Sequence, residues 1–161
     1  CVSGNFDSAT LADAWLASGA DCVEQLGSVE KAWAVWKSDM DAIFVGSKPG
    51  AMSGDGAQGV QQTPIIATSA AAVSSKALAI LRKNNTPVAA DFLSGIGPTL
   101  AWWAPEETSQ DELRSSTSAT VTGLLEETAD HADGSFMAAC YKAEAFIESW
   151  QEQRPFGRPL G

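Results

Sequence analysis

Hydrophobic and polar positions along the chain fall into blocks of contrasting period. Over 8–18 (SATLADAWLAS) the apolar residues Leu11, Trp15 and Leu16 recur at helical spacing, and Gly19 follows as a C-terminal cap. Over 21–26 (DCVEQL) the pattern is short and partly alternating, as in a strand. Ser28 is placed to cap a second helix that carries Trp33 and Trp36 on one face. The apolar run 40–45 (MDAIFV), bounded by Asp39 and Gly46, predicts a buried strand. Residues 46–63 hold Gly46, Gly50, Gly54, Gly56 and Gly59 with little hydrophobic pattern, and read as a long surface loop.

The alternation continues downstream. Residues 65–83 predict a helix, with Val73, Leu78, Ile80 and Leu81 at helical spacing and Lys76, Arg82 and Lys83 toward its C-terminal end, where the helix dipole favours them. Asn84 and Asn85 stop it. Residues 86–91 (TPVAAD) predict a short buried strand, with Pro87 near its start, where a missing N–H is tolerated. Ser94-Gly95-Ile96-Gly97-Pro98 is a tight turn into 99–104. A polar stretch, 105–118, carries only a weak helical signal around 111–114, and 119–122 (ATVT) reads as a last strand. Residues 135–151 predict a final helix whose stripe of Phe136, Ala139, Cys140, Ala143, Phe146, Ile147 and Trp150 faces a core. The tail 154–161 reads as extended or docked elsewhere.

This alternation predicts an α/β domain over 1–161, with a doubly wound parallel sheet. The alternative is an all-α helical bundle, but Pro64, Pro87, Pro98 and the 46–63 loop cut the chain too often for long bundle helices. The first inner strand would be only Cys1-Val2-Ser3. A sheet lacking most of an inner strand exposes unpaired backbone, so the sequence reads as a piece of a longer polypeptide.

Charge and cysteine content narrow the function classes. Ten basic residues against twenty acidic ones leave a net charge of −10, which disfavours nucleic acid as a partner. No window approaches the apolar length of a transmembrane span, so the chain reads as soluble, with no membrane partner and an undetermined compartment. With three cysteines (Cys1, Cys22, Cys140), no CxxC pair and His131 as the sole histidine, neither a disulfide framework nor a zinc site is expected. A Cys22–Cys140 bridge and two buried free thiols are both compatible with the count. No metal or other cofactor is expected.

Several segments together resemble the DJ-1/PfpI superfamily, a flavodoxin-like group related to class I glutamine amidotransferases. VSGNFDSATLADAWLASGADC is similar to its first strand end, loop and helix. MDAIFVGSKPGA resembles its Gly-rich strand end, and LAILRKNNTPVAADFLSGIGPTLAWWA its nucleophile elbow and following helix. Within the group, Val121-Thr122-Gly123 and the last helix running into Arg154 are most similar to the C-terminal domain of large-subunit catalases. Catalytic members carry a cysteine at the elbow, activated by the turn and helix N-terminus. Here the corresponding stretch is Ala90-Asp91-Phe92-Leu93-Ser94-Gly95, without a cysteine. Ser94 lies beside it and reads as an N-cap. Asp7 is a faint echo of the family's carboxylate and equally an Asx-turn residue. The resemblance therefore implies a non-catalytic domain with a stabilising, assembly or chaperone-like role. Its partners would be the rest of a larger polypeptide, a homo-oligomer or unfolded client proteins.

Other readings are weighed against plainer ones. A DJ-1/PfpI-type hydrolase or hydratase would need an unrecognised nucleophile, with Ser94 and Cys22 as candidates and Asp7 as carboxylate. Cys1 would suit an N-terminal-nucleophile hydrolase, but that fold needs a larger sandwich. DAIFVGSKPGAMSG is similar to the phospho-acceptor strand of a receiver domain, with Gly46 in place of the acceptor aspartate, which would make the chain a degenerate receiver. The Gly54-Asp55-Gly56 and Gly95–Pro98 turns lack the P-loop lysine. Six tryptophans include the adjacent Trp102 and Trp103, which cannot both face inward on one helix.

Overall fold

The computed structural model describes residues 2–3, 8–20, 25–26, 36–37, 39–46 and 48–151. The predicted helix beginning at Ser28, Trp33 and the 154–161 tail lie outside them, as do Cys1, Asp7 and Cys22. The described elements follow in the order β1 (Val2–Ser3), α1 (Ser8–Ala17), β2 (Gln25–Leu26), β3 (Ile43–Val45), α2 (Gly54–Gly59), β4 (Ile65–Ala67), α3 (Ser75–Lys83), β5 (Val88–Ala89), α4 (Asp91–Ser94), α5 (Gly97–Trp103), α6 (Gln110–Ala129) and α7 (Ser135–Glu148). The strands form one sheet in the order β2-β1-β3-β4-β5, and every pair is parallel. That is the flavodoxin-like strand order. The all-α alternative is excluded by this sheet.

Side-chain alternation along β3 shows why helices cover both faces. Ile43 and Val45 are fully buried on one face, with Ile65 and Ala67 of β4, Ala57 of α2, and Ala77 and Leu81 of α3. Phe44 points to the other face and meets Trp15 of α1, with ring centroids 4.6 Å apart. A strand buried on both sides has no polar alternate positions, which explains the unbroken run IFV. A second, smaller cluster joins Ala90, Leu93 and Ala139, with Leu124, Leu125 and Phe136 packed against it. It ties α6 and α7 to the end of β5.

Four sequence expectations are corrected. Residues 65–83 are not one helix. Ile65–Ala67 pair with both β3 and β5, and α3 begins only after Ser74, whose hydroxyl accepts the N–H of Ala77. Pro64 and two β-branched isoleucines favour the extended start. The 46–63 segment is not merely surface loop. Met52 is buried and bridges Val73, and Ser53 caps α2 by accepting the N–H of Gly56 at 3.2 Å. Gly56 is a packing glycine, because a Cβ there would lie 2.9 Å from Nε1 of the buried Trp36.

The ATVT strand and the polar stretch before it form one twenty-residue helix, α6. A capping box starts it: the Ser109 hydroxyl accepts the N–H of Glu112, and the Glu112 carboxylate accepts the N–H of Ser109. Thr120 of the expected strand and Thr128 further along return their hydroxyls to the preceding turn, to the carbonyls of Ser116 and Leu124, both at 2.8 Å. The final helix, α7, buries Ala138 and Ala139, but Phe146 and Trp150 are not core. They are 69% and 61% exposed and pack edge-to-face on each other. Among the described residues no helix is long and apolar enough to cross a membrane.

Candidate functional site

In an open parallel sheet the carboxyl ends of the strands form the functional edge. Ligands favour the point where successive connections leave for opposite faces. In this strand order that point lies between β1 and β3. The β1-to-α1 connection there is Gly4-Asn5-Phe6-Asp7, outside the described residues, and α1 starts directly after it at Ser8.

The ends of β3, β4 and β5 are tied to one another. Thr68, just past β4, donates its N–H to the carbonyl of Val45 at 2.7 Å and its hydroxyl to the same oxygen at 3.2 Å. This clamp closes on Gly46: a Cβ there would lie far inside contact distance of Thr68 Oγ1. The hydroxyl of the neighbouring Ser69 is buried without a hydrogen-bond partner. A buried, unsatisfied hydroxyl at a strand end is costly and marks a place where a ligand or solvent group would be welcome.

Further along, the loops after β3 and β4 zip together. Gly50 donates to the carbonyl of Ala71 at 2.8 Å, Met52 to that of Ala72 at 2.9 Å, and Ser74 to that of Met52 at 3.1 Å. Ala71 holds a left-handed backbone, φ 52°. Its N–H goes to the Asp91 carboxylate at 2.6 Å, while the other oxygen of Asp91 accepts the N–H of Phe92 at 3.0 Å. One side chain thus joins the loop after β4 to the helix after β5.

The stretch aligned with a nucleophile elbow has a definite geometry. Ala90 is extended (φ −64°, ψ 138°), Asp91 opens the short helix α4, Phe92 is exposed and Leu93 is buried. No residue over 90–95 has a positive φ. Ser94 does not cap a helix N-terminus; it is the last residue of α4. Its hydroxyl donates to the carbonyl of Ala67 and lies within reach of those of Ala90 and Asp91. A hydroxyl surrounded by carbonyl oxygens is a donor serving structure, with no base beside it to remove its proton. His131 sits elsewhere, between α6 and α7, where its Nδ1 accepts the N–H of Asp133 and its ring faces Tyr141.

Cys140 carries a free, half-buried thiol on α7. Burial raises its pKa, with the negative charges of Glu144 and Asp91 adding to the shift. Such a thiol stays protonated near neutral pH and is a poor nucleophile. Among the described residues no group of three or more metal-ligating side chains comes together. The sequence singled out Asp91 only as part of the stretch resembling a nucleophile elbow, in which Phe92 or Leu93 fills the nucleophile position. It gave no sign of the Asp91–Ala71 tie, because the pairing spans twenty residues and ends on a backbone N–H.

No protein-family model matches the chain, and no curated protein matches it. Among solved structures, the chain is similar to the hetero-hexameric glutamate dehydrogenase from Thermus thermophilus in its Leu-bound form. The likeness is one of fold. The TM-score is 0.60 at 22% identity, covering 94% of this chain and 38% of the dehydrogenase chain. This chain therefore spans well under half of the length of the protein it resembles.

Proposed function

We propose that the chain is the nucleotide-binding-type half of a larger, amino-acid-dehydrogenase-like polypeptide, and that it supplies a dinucleotide cradle rather than a catalytic side chain. The observation that carries this reading is the strand order, with its switch point between β1 and β3 and a short β1-to-α1 connection containing Gly4. A ten-residue helix starting there aims its positive end at that crevice, a suitable place for a pyrophosphate. The unpartnered Ser69 hydroxyl, at an adjacent strand end, fits a ligand that offers polar groups. The likeness to one part of a glutamate dehydrogenase supports the same reading.

The residues also set a limit on affinity. Of the glycine triplet usual in dinucleotide sites, Gly4 stands at the middle position, where the backbone nears the pyrophosphate. Val2 and Asp7 stand at the outer ones. A carboxylate at position 7 repels phosphate, and Leu26-Gly27-Ser28 at the end of β2 provide no acid for a ribose hydroxyl. Binding is therefore weak. When bound, a nicotinamide dinucleotide would supply hydride chemistry; this chain's residues would hold and orient it. Calorimetric titration of the full chain with oxidised and reduced nicotinamide dinucleotides tests the reading. Saturable binding tighter than about 1 mM supports it. Asp7→Gly is expected to tighten binding. No saturable binding by either variant would refute the proposal.

A second reading is a non-catalytic DJ-1/PfpI-like domain of the large-catalase kind, with a stabilising, assembly or chaperone-like role. The observation that favours it is the pair Trp102 and Trp103, 85% and 78% exposed on α5. Aromatic residues left in water on one element are characteristic of contact surfaces. Suppression of aggregation of a heat-denatured client at equimolar ratio, lost in Trp102→Ala/Trp103→Ala, would support this reading. Absence of suppression would remove it.

A further inference from the structure

A cavity of about 230 Å³ opens between β4, β5, α3 and α7. Ala67, Val73, Leu78, Val88 and Phe136 supply apolar walls. Asp91 is the one ionisable group among its lining residues. Apolar walls without facing atoms forgo dispersion contacts and hold water poorly, so a space of this kind favours a hydrocarbon guest.

The carboxylate at the edge sets the polarity of that guest. Asp91 accepts one backbone N–H at each oxygen, from Ala71 and from Phe92, which leaves each oxygen with a further lone pair. Neither N–H neutralises its charge. The ion pairs Arg82–Asp133 and Lys142–Glu127 lie elsewhere. His131 is held by Asp133 and Tyr141. A carboxylate already positioned by two N–H groups, with no cation paired to it among the described residues and bordering an apolar cavity, is pre-organised for an ammonium group with an apolar tail.

We propose that this cavity is a binding site for a small primary amine with a branched apolar body, its ammonium paired with Asp91 and its hydrocarbon part lying against Val73, Leu78, Val88 and Phe136. The site is independent of the nucleotide reading, and its test requires no nucleotide. A neutral alcohol of the same shape would lose the charge-assisted hydrogen bond, and the matching carboxylate would be repelled.

Two-dimensional amide NMR of the full chain, titrated with isopentylamine at constant ionic strength, tests the site. The expected result is saturable shifts at the amides of Ala71, Val73 and Phe92, with isopentanol binding at least about fivefold more weakly and isovalerate not at all. Asp91→Asn keeps an acceptor for Ala71 while removing the charge, and should weaken amine binding by at least about fivefold. Leu78→Phe fills the cavity without touching Asp91 and should abolish binding even if the Asp91 variant folds poorly. No saturable shift with the amine, an equal response to isopentanol, or unchanged binding in Leu78→Phe would each overturn the proposal.

Discussion

Asp91 holds Ala71 in a left-handed backbone conformation by accepting its N–H at 2.6 Å. Because Ala71 in turn accepts the N–H of Gly50, the loops after β3, β4 and β5 are tied in series through two residues. A left-handed alanine costs about 1–2 kcal/mol, and the charged hydrogen bond offsets that cost. Asp91 thus joins Thr68–Val45 and Ser94–Ala67 among the ties that hold this edge together.

Removing that carboxylate should loosen the edge. Asp91→Ala is expected to lower stability by about 1.5–3 kcal/mol, and Asp91→Asn by less, since its amide oxygen still accepts the Ala71 N–H. Urea denaturation of the two variants checks the order. A neutral Asp91→Ala would mean that the tie contributes nothing.

Gly46 and Thr68 should behave as a coupled pair. Gly46→Ala drives a methyl group into Thr68 Oγ1, so the threonine must rotate and lose its bond to Val45. The expected loss is about 1–3 kcal/mol. Thr68→Ala removes the obstructing oxygen, so the double variant should be more stable than the sum of the single losses predicts. Strict additivity in a double-mutant cycle would show that the two side chains do not meet.

The α6 capping box predicts a pH dependence of known sign. The hydroxyl and N–H of Ser109 lower the pKa of Glu112. A carboxylate depressed in the folded state stabilises fully above its unfolded pKa, and that contribution fades as pH falls through the depressed value. Wild type should therefore exceed Glu112→Gln in melting temperature at neutral pH. The gap should narrow on acidification below the ordinary carboxylate range. Ser109→Ala should cost about 1 kcal/mol through the lost cap. A gap between wild type and Glu112→Gln that stays constant down to strongly acidic pH contradicts the assignment.

Cys140 should be inert in the folded chain. Its pKa is raised by burial and by Glu144 and Asp91, so the thiolate is scarce at neutral pH. Site-resolved mass spectrometry after brief iodoacetamide treatment should find Cys140 unlabelled under native conditions and labelled in urea. Its protonated form also favours the folded state below the ordinary thiol pKa, a contribution lost as pH rises through the raised value. Rapid native labelling at neutral pH would contradict this account.

The strongest sequence signals were those in which local pattern and tertiary environment agree. The run 40–45 announced β3 through its apolar end, Ile43-Phe44-Val45, which forms the strand, while Asp41 lies before it. The three residues of β4 were hidden because so short an apolar run stands close before the helical spacing that begins at Ser75, although its two isoleucines favour extended backbone. The ATVT segment misled because β-branched residues favour strands, whereas here the Ser109–Glu112 box and the threonine hydroxyls support a helix. The α7 stripe continued past the core to Phe146 and Trp150, which spacing alone does not reveal. At the site, the carboxyl-end loops could be located from the alternation of elements. The Gly46–Thr68 and Asp91–Ala71 pairings join residues about twenty positions apart and have no local signature.

The proposed nucleotide cradle lies at the carboxyl ends of β1, β3 and β4. Mapping amide shifts of the full chain during titration with a nicotinamide dinucleotide tests it most directly. The account predicts saturable shifts concentrated at residues 4–8, Gly46, Thr68 and Ser69, enhanced in Asp7→Gly. Shifts confined to the α6 and α7 surfaces, or none at any dinucleotide concentration, would contradict it.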